Sequence, residues 1–284
     1  MTTTDRRPVL SRRRELGDTS ARSLLMTVLG EFVLGRPVPA WTATLVGTLS
    51  LFGIEEKSAR QALARSASEG WIRSHRYGRR VRWELTLPGR HLLTEGAERI
   101  YSFGRPASPW DGRWLVLLVS VPEAKRELRH RLRTQLSWVG FGSPAPGVWV
   151  SPDVSRQAEA HALLEHLELE SGPMSFIARY GSIGEQQAMV AAAWDLATVS
   201  TRYQQFIDEF THVRPATPDE ALRAQIKLVH EWRRFPFLDP QLPAELLPAR
   251  WAGTRAAALF TDKHQAWRPA AHARWEELSA VDDA

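Results

Sequence analysis

The sequence predicts an α+β chain built from three parts. These are an N-terminal winged helix-turn-helix in residues 21–105, a central ferredoxin-like domain in residues 110–182 and a C-terminal helical domain in residues 187–284. The first prediction rests on a short helix, a glycine stop and an arginine-rich hairpin between residues 55 and 86. The second rests on the order β-α-β-β-α-β, and the third on three candidate helices after residue 187. Residues 1–20 are polar and aperiodic, which indicates a mobile tail.

Two helices are expected before the hairpin region. Residues 21–34 carry an apolar stripe at helical spacing, formed by Leu24, Leu25, Val28, Leu29, Phe32 and Val33. Gly35 and the prolines that follow it end this helix. Residues 40–51 are expected to form a second helix, which Gly53 closes.

A third helix over residues 55–69 has the pattern of a DNA recognition helix. On a helical wheel, one side is small or apolar and is formed by Ala59, Ala62, Leu63, Ser66 and Ala67. The side chains expected nearest to base edges are Lys57, Ser58, Gln61 and Arg65, because glutamine pairs with adenine and arginine with guanine in the major groove. Arg60 lies at the edge and is expected to hold a phosphate or to pack there. An ordinary solvated helix face has the same pattern.

The hairpin after this helix favours the DNA-binding interpretation. Residues 71–77 and 81–86 are strand-like, and Gly78 allows a tight turn between them. The cations at the turn are Arg76, Arg79, Arg80 and Arg82. Like charges at one tip repel one another, so a polyanion partner is expected, with the hairpin along the DNA backbone or in the minor groove. A helix over residues 88–101 follows, and residues 102–109 form a linker.

The remaining elements are assigned from shorter signals. In the central domain, strands are expected at 113–121 and 174–180, a hairpin at 141–151, and helices at 123–136 and 155–167. The C-terminal helices are expected at 187–210, 218–234 and 254–278, and Thr217 with Glu220 forms a capping box for the middle one. Prolines are expected to exclude regular helix from residues 235–248, which leaves an ordered loop or disorder, and the leucines and phenylalanines of this stretch favour order.

Charge is distributed unevenly along the chain. Residues 1–106 hold 18 of the 37 Lys and Arg residues and 10 of the 32 acidic residues, a net charge of +8, whereas the remainder carries −3. The excess of 33 arginines over four lysines indicates compositional bias, but this bias does not explain the asymmetry. Phosphate-backbone binding does, because each neutralised phosphate releases counterions.

Several classes of protein are disfavoured. The chain has no cysteine, so disulfides and thiol nucleophiles are excluded. No apolar run is long enough to cross a bilayer, and the N-terminus lacks the core of a secretory signal, so a cytoplasmic protein is expected. His161 and His166 are poorly spaced for a shared metal ion, and His230 lacks the second histidine of a zincin motif. We therefore expect no enzyme, no metal and no cofactor.

Four segments resemble the PaaX family of bacterial transcriptional regulators. They are S-A-R-Q-A-L-A-R with E-G-W-I (58–72), W-D-G-R-W-L-V-L-L-V-S-V-P-E (110–123), L-S-W-V-G-F-G-S-P-A-P-G-V-W-V-S-P (136–152) and L-V-H-E-W-R-R-F-P-F-L-D-P-Q-L-P-A-E-L-L-P-A-R-W-A-G (228–253). The resemblance extends from residue 21 to the C-terminus. It implies a winged helix, a central domain similar to Cas2, a helical C-terminal domain, and a homodimeric repressor that binds double-stranded operator DNA.

The resemblance also implies a small-molecule effector, an aryl-CoA thioester such as phenylacetyl-CoA, that releases the repressor from DNA. Such a ligand requires cations for its phosphates and an apolar slot for its acyl group. The candidate effector-binding residues are Trp194, Tyr203, His230, Arg233, Arg234, Arg250 and Trp251. The alternative is that the aromatic residues are core and that the arginines pair with Asp239 or Glu245.

Two other functions compete with the repressor. Cas2-type nucleases hold a metal ion with an aspartate at the end of the first strand, but here that neighbourhood reads V-S-V-P-E, with Ser120 in the place of the acid. Serine is a poor ligand for a hard cation, so we expect this domain to be a scaffold or dimer interface. A non-specific architectural protein that binds nucleic acid is the second alternative.

Overall fold

The computed structural model describes residues 20–36, 38–104, 109–169 and 172–281, which divide into two compact units. The first unit comprises the described residues up to 102, residues 210–234 and residues from 259 onward. The second comprises residues 103–209 and 235–258. Residues of the predicted C-terminal domain therefore occur in both units, and the domain limits stay a prediction. Residues 1–19 of the predicted tail and residues 105–108 of the predicted linker lie outside the described residues.

The first unit contains four helices from the N-terminal part of the chain. They are α1 (Ala21–Val28), α2 (Thr42–Ser50), α3 (Glu56–Ser68) and α4 (Leu87–Ser102). Ser20 caps α1 by accepting a hydrogen bond from the Ser23 amide at 3.2 Å. The predicted first helix continues past Val28 as one turn of π-helix over Leu29–Val33. Turns of this kind are rare and break the regular hydrogen-bond ladder.

A three-stranded antiparallel sheet completes the N-terminal part, with strands β1 (Ala40–Trp41), β2 (Ile72–Tyr77) and β3 (Arg80–Leu85) in the order β1-β3-β2. The prediction that residues 40 and 41 begin the second helix is wrong. They pair with Trp83 and Arg82 of β3 instead. Pairing with a strand about 40 residues away does not affect the local periodicity of the sequence. A prediction from helical spacing alone therefore begins this helix two residues too early.

Helices from the C-terminal half build the core of this unit. They are α9 (Pro218–Trp232) and the part of α11 (Ala252–Val281) that follows residue 258. Leu222 and Ile226 of α9 and Trp275 of α11 join the apolar cluster formed by α1, α2 and α3. Trp275 stacks on Phe32, with ring centroids 5.0 Å apart. The capping box predicted at the start of α9 is confirmed.

A buried carboxylate lies at the centre of this packing. Glu31, on the π-helical turn, has a side chain that is 4% exposed. It accepts hydrogen bonds from the Tyr101 hydroxyl of α4, the Gln225 amide of α9 at 2.8 Å and the His264 ring of α11 at 3.1 Å. His272 Nε2 lies 3.6 Å from the same carboxylate. Burial raises the pKa of Glu31, but these polar neighbours outweigh burial and hold the pKa well below its usual range.

The second unit contains a four-stranded antiparallel sheet. Its strands are β4 (Arg113–Leu118), β5 (Gly142–Ala145), β6 (Val148–Ser151) and β7 (Met174–Arg179), in the order β5-β6-β4-β7. Helix α5 (Arg126–Trp138) follows β4, and α6 (Gln157–His166) follows β6. This is the predicted order β-α-β-β-α-β, and a ferredoxin-like sheet has this strand arrangement.

The two faces of this sheet are covered differently. Leu115 and Leu117 of β4 pack with α5 and α6, whereas Trp114 and Val150 pack on the other face with Val190 of α7 (Gln186–Ala193). Strand β7 lies at an edge of the sheet, and every residue of it is exposed. The apolar side chains of β4, by contrast, alternate between two buried faces.

The predicted helix over residues 187–210 is two helices, α7 and α8 (Leu196–Phe210). The break lies at Trp194, which is extended, and at Asp195, which accepts a hydrogen bond from the Thr198 amide at 3.0 Å. The sequence carried this signal, because aspartate is a preferred helix N-cap. The proline-rich stretch is ordered, with a short helix α10 (Phe235–Leu238) and a 3₁₀ turn at Ala244–Leu246. The prediction that it contains no regular helix is wrong, because Pro236 lies in the first turn of α10, where proline is tolerated. In the described part of the chain, no helix is long and apolar enough to span a membrane.

Gly89 is required by close packing. A Cβ atom at this position would lie 1.9 Å from the Trp71 carbonyl oxygen, whereas one at Gly96 of the same helix would meet nothing within 4 Å. We expect Gly89→Ala to lower the free energy of unfolding by about 1–3 kcal/mol, since backbone atoms must move. The control Gly96→Ala should raise it by about 0.5–1 kcal/mol, because alanine favours helix. Urea unfolding measures both, and equal effects would contradict the packing argument.

Candidate nucleic-acid interface

Helix α3 presents a polar face to solvent. Ala59, Ala62 and Leu63 are buried in the apolar cluster that α3 shares with α1 and α2, and Ser66 is buried as well. The predicted base-reading side chains Lys57, Gln61 and Arg65 are exposed, and Ser58 is half-buried. Arg60 is exposed and pairs with Glu56 at 2.7 Å. The helical wheel therefore assigned the two faces of α3 correctly.

Helix α3 is joined tightly to the hairpin that follows it. Gly70, with φ of 79°, ends the helix, and the Trp71 amide donates to the Ser66 carbonyl at 3.0 Å. The guanidinium of Arg22 lies over the Trp71 ring at 4.9 Å from its centroid. These contacts fix where the hairpin begins relative to α3.

The β2–β3 hairpin has a two-residue loop, Gly78–Arg79, because Tyr77 pairs with Arg80. Gly78 has φ of 59°, which the first position of such a loop requires. Arg79 thus lies at the very tip, and Arg76 and Arg80 flank it on the two strands. All three are exposed, and Arg76 Nε donates to the Gly78 carbonyl at 3.1 Å.

Aromatic rings hold one arginine of the hairpin. The Arg82 guanidinium lies 4.0 Å from the ring centroid of Trp41 and 5.1 Å from that of Tyr77. Trp41 is buried and Arg82 is half-buried, so this stack stiffens the hairpin as well as carrying charge. Arg80 lies over the same Trp41 ring at 5.9 Å. Trp41 gives no separate signal in the sequence, because helical periodicity places it in the predicted second helix.

The base of the hairpin is electrically neutralised. Glu84 accepts a hydrogen bond from His75 at 2.8 Å and another from Arg73. These two donors, His75 first, hold the pKa of Glu84 below its usual range. Arg73 is therefore paired, and positive charge is concentrated at the tip.

The candidate effector residues fall into two groups, one in each unit. In the first unit, His230 Nδ1 lies 3.1 Å from the Thr27 hydroxyl, and the Arg233 guanidinium donates to the Ser23 hydroxyl at 2.5 Å. Arg234 pairs with Glu231 at 2.7 Å. These contacts are structural, since they connect α9 to α1 or lie within the C-terminal end of α9.

The second group surrounds Tyr203 of α8. Its ring stacks on Phe235 at 4.1 Å and meets Trp251 edge-on at 5.8 Å, and its hydroxyl donates to Asp239 at 2.6 Å. Burial raises the pKa of both Tyr203 and Asp239. Arg250 beside this group is exposed and adopts φ of 62°.

Trp194 lies in a second aromatic cluster of the same unit. Its ring stacks on Trp114 of β4 with centroids 6.3 Å apart, and Trp251 packs on the same apolar cluster. Gly142 makes room for it, since a Cβ there would lie 2.4 Å from the Trp194 ring. Among the described residues, no acceptor lies within hydrogen-bonding distance of the buried indole nitrogens of Trp114 and Trp194. The apolar context of β4 hid Trp114 from sequence analysis.

Three family models match the chain in consecutive segments. Residues 20–89 match the PaaX-like protein model, residues 107–190 the PaaX protein central Cas2-like domain, and residues 194–277 the PaaX-like protein C-terminal domain. The chain is also 34% identical over 263 residues to the transcriptional repressor PaaX of Escherichia coli strain K12, covering 89% of this chain and 82% of that protein.

This chain belongs to the PaaX family.

A solved structure of an uncharacterised protein from Mycobacterium tuberculosis has the same fold as this PaaX-family chain. The TM-score is 0.63 at 23% identity, and the match covers 90% of this chain and 98% of the other. The α+β class and the Cas2-like central domain are thus confirmed. At this identity the likeness concerns the fold alone.

The end of strand β4 is the place where the nuclease alternative requires an acidic residue. In this PaaX-family chain Ser120 lies two residues after β4 and is exposed, and Glu123 follows beyond Pro122. Across the described ranges, no three His, Asp or Glu side chains are grouped as metal ligands.

Stability should depend on pH through His230. Burial, and then the charges of Arg233 and Arg234, lower its pKa from 6.5 to about 3. The folded state therefore disfavours the protonated ring, so the stability that His230 contributes is complete above pH 6.5 and is lost as pH falls towards 3. Lowering the pH from 7.5 to 5.5 should therefore lower the free energy of unfolding by about 1.4 kcal/mol, because pH 5.5 lies one unit below 6.5.

Urea unfolding of wild type and His230→Gln at pH 7.5 and 5.5 measures this loss. The variant should show a smaller pH dependence, whereas His166→Gln, a change at an exposed histidine, should match wild type. Glu31 stays ionised throughout, because its pKa is depressed. Parallel pH profiles for wild type and His230→Gln would show that His230 is not the responsible group.

Proposed function

We propose that this chain is a DNA-binding transcriptional repressor whose N-terminal part is a winged helix-turn-helix. The observation that carries the proposal is the junction of α3, with its exposed polar face, and a short hairpin tipped by arginine. Helices α2 and α3 with the β2–β3 hairpin correspond to the helix-turn-helix and wing of such proteins. The name of the E. coli relative, a transcriptional repressor, supports the same function.

In this proposal α3 enters the major groove. Gln61 and Arg65 lie one turn apart on its exposed face and carry the donors that read adenine and guanine. Lys57 and Ser58 lie at its N-terminal end, where recognition helices contact bases. Arg60 exchanges its partner Glu56 for a phosphate.

The hairpin serves as the wing. Arg79 at the tip, with Arg76 and Arg80, contacts the phosphate backbone or the adjacent minor groove. The stack of Arg82 on Trp41 and Tyr77 keeps the wing rigid, so less entropy is lost on binding. The charge of +8 in residues 1–106 draws this part of the chain towards DNA.

We further propose that the repressor is a cytoplasmic homodimer. The edge strand β7 supports an interface there, since Met174, Phe176 and Ile177 are each at least 51% exposed. A two-fold dimer places two α3 helices on inverted half-sites about 10 bp apart or a multiple of that distance.

The effector proposed for this protein is an aryl-CoA thioester. Within the part of the chain that the structure describes, the indole N–H groups of Trp114 and Trp194 have no acceptor, and a buried donor without an acceptor is costly. A carbonyl group of the ligand satisfies them, while Trp251 and Tyr203 line the apolar side and Arg250 supplies an exposed cation for phosphate. His230, Arg233 and Arg234 act more indirectly, because their side chains already have partners in the first unit.

Release from DNA then requires only that the effector bind better to a state that binds DNA poorly. Typical coupling of this kind is about 1–3 kcal/mol. The proposal needs no chemical step. That the protein is not an enzyme is proposed because Ser120 stands where a nuclease would carry an acid, and because the E. coli relative is a transcriptional repressor.

Substitutions on α3 and on the wing should have different effects. Gln61→Ala and Arg65→Ala should each cost about 1–3 kcal/mol at particular base pairs and relax specificity there. Arg79→Ala should weaken binding to every duplex and lower the slope of log affinity against log salt by about 1. Fluorescence anisotropy with operator DNA, a scrambled duplex and an operator lacking one half-site measures all three effects.

The control for these substitutions is Arg202→Ala, which removes an exposed charge from α8. It should leave affinity and salt slope unchanged. Equal binding of wild type to operator and scrambled DNA would favour the architectural alternative. An Arg79→Ala variant with an unchanged salt slope would show that the hairpin is not the wing.

The effector site is tested by removing a single N–H group. Trp194→Phe keeps an aromatic ring but replaces the indole by phenyl and so loses the N–H donor, and the phenylacetyl-CoA concentration that releases DNA should rise by about two- to tenfold, from the usual value of one hydrogen bond. Trp138→Phe, at a residue 49% exposed, is the matched control. If both variants respond like wild type, the Trp194 donor does not contact the effector.

A further inference from the structure

Helix α5 of the central domain carries a stripe of positive charge along one side. Residues 125–133 contain five of the eight Lys and Arg residues of segment 110–182, which also holds eight acidic residues. Arg126, Arg129, His130 and Arg133 follow the spacing i, i+3, i+4, i+7, which places them on one helix face. All four are exposed. Three of the eight Lys and Arg residues of this charge-balanced segment thus lie on one face of one helix together with His130, and we call this surface the α5 stripe.

The α5 stripe is fixed towards solvent by the packing of the helix. Leu132 and Leu136 are buried and Leu128 is half-buried in the cluster beneath α5. These three residues lie on the side of the helix away from His130. The helix cannot turn its cations inward without exposing this apolar face.

The arginines of the α5 stripe differ from others in the same domain. Arg113 pairs with Asp111 at 2.5 Å, and Arg156 pairs with Asp153 and Glu159 at 3.1 Å. Within the described ranges, the side chains of Arg126, Arg129 and Arg133 form no ion pair, and Glu127 projects towards another side of the helix. Like charges three and four residues apart destabilise a helix, so this arrangement is unfavourable in isolation.

We propose that the α5 stripe is a second DNA contact, which binds the phosphate backbone of a duplex without reading its sequence. The proposal rests on the function proposed above and adds a surface outside α3 and the wing. Arg126 and Arg133 are about 10.5 Å apart along the helix axis at 1.5 Å per residue. Duplex DNA carries one charge per about 1.7 Å of its axis, so the stripe can meet several phosphates at once.

The geometry favours a duplex over a small anion. The cations form an open row on a convex helix face, whereas small ligands are bound in concave sites. Guanidinium groups bind phosphate oxygens in a fork, and three of the four stripe residues are arginine. An extended polyanion satisfies all of them without a pocket.

The test uses the full chain and the triple variant Arg126→Gln/Arg129→Gln/Arg133→Gln. Glutamine keeps the helix propensity of arginine, so α5 should stay folded, which circular dichroism checks. The control Arg113→Gln/Arg156→Gln/Arg274→Gln removes the same charge from arginines that pair with carboxylates. The probes are a duplex from upstream of the chain's own gene, as the candidate operator, and a scrambled duplex of equal length. Anisotropy titrations with both, over a series of salt concentrations, give affinity and salt slope.

The stripe variant should lose about ten- to a hundredfold in affinity at moderate salt, and its salt slope should fall by about 2–3, since about 0.9 counterions are released per phosphate contact. The loss should be equal on both duplexes, so that the preference for operator is unchanged. The proposal is overturned if the stripe variant and the control variant have the same affinity and slope. A wild type without operator preference would instead contradict the repressor function, and the stripe would still be tested by the scrambled duplex.

Discussion

The fold of the first unit depends on one buried carboxylate. Glu31 is nearly inaccessible, yet it stays ionised because donors from α4, α9 and α11 surround it. An unpaired charge in such a place would cost several kcal/mol, so these helices must be present together for Glu31 to be tolerated. The π-helical turn directs Glu31 inward, and Trp275 covers the adjacent ring of Phe32. The C-terminal helices are therefore a structural requirement of the N-terminal part.

This dependence gives the proposed repressor a physical route for regulation. Helices α9 and α11 carry partners of Glu31, and α9 also contacts α1 through His230 and Arg233. Helix α3 packs against α1 in the same core. A ligand that favours another arrangement of the C-terminal helices thus changes contacts that support α3, and differential affinity between two packed states is sufficient for control.

Arginine is the dominant cation of the chain, and its role differs from place to place. Arg82 stacks on aromatic rings, Arg73 neutralises Glu84, and Arg233 connects helices. Arg79 and the α5 stripe are instead exposed. Net charge along the sequence identified the cationic N-terminal region, residues 1–106, but not the α5 stripe. The eight acidic residues of segment 110–182 cancel the charge of its eight Lys and Arg residues. Pairing in space, and not composition, separates arginines held in structural contacts from exposed ones.

Sequence alone determined the local features: the two faces of α3, the hairpin with Gly78 at its turn, the capping box at Thr217 and the order of elements in the central domain. Periodicity and turn chemistry encode these, because they depend on neighbours along the chain. Tertiary structure alone decided that Ala40 pairs with β3, that residues 210–234 join the first unit and that Trp114 meets Trp194. An apolar stripe specifies that a helix face is buried, but not which partner covers it. The residue type alone likewise does not tell whether a glutamate is buried or exposed.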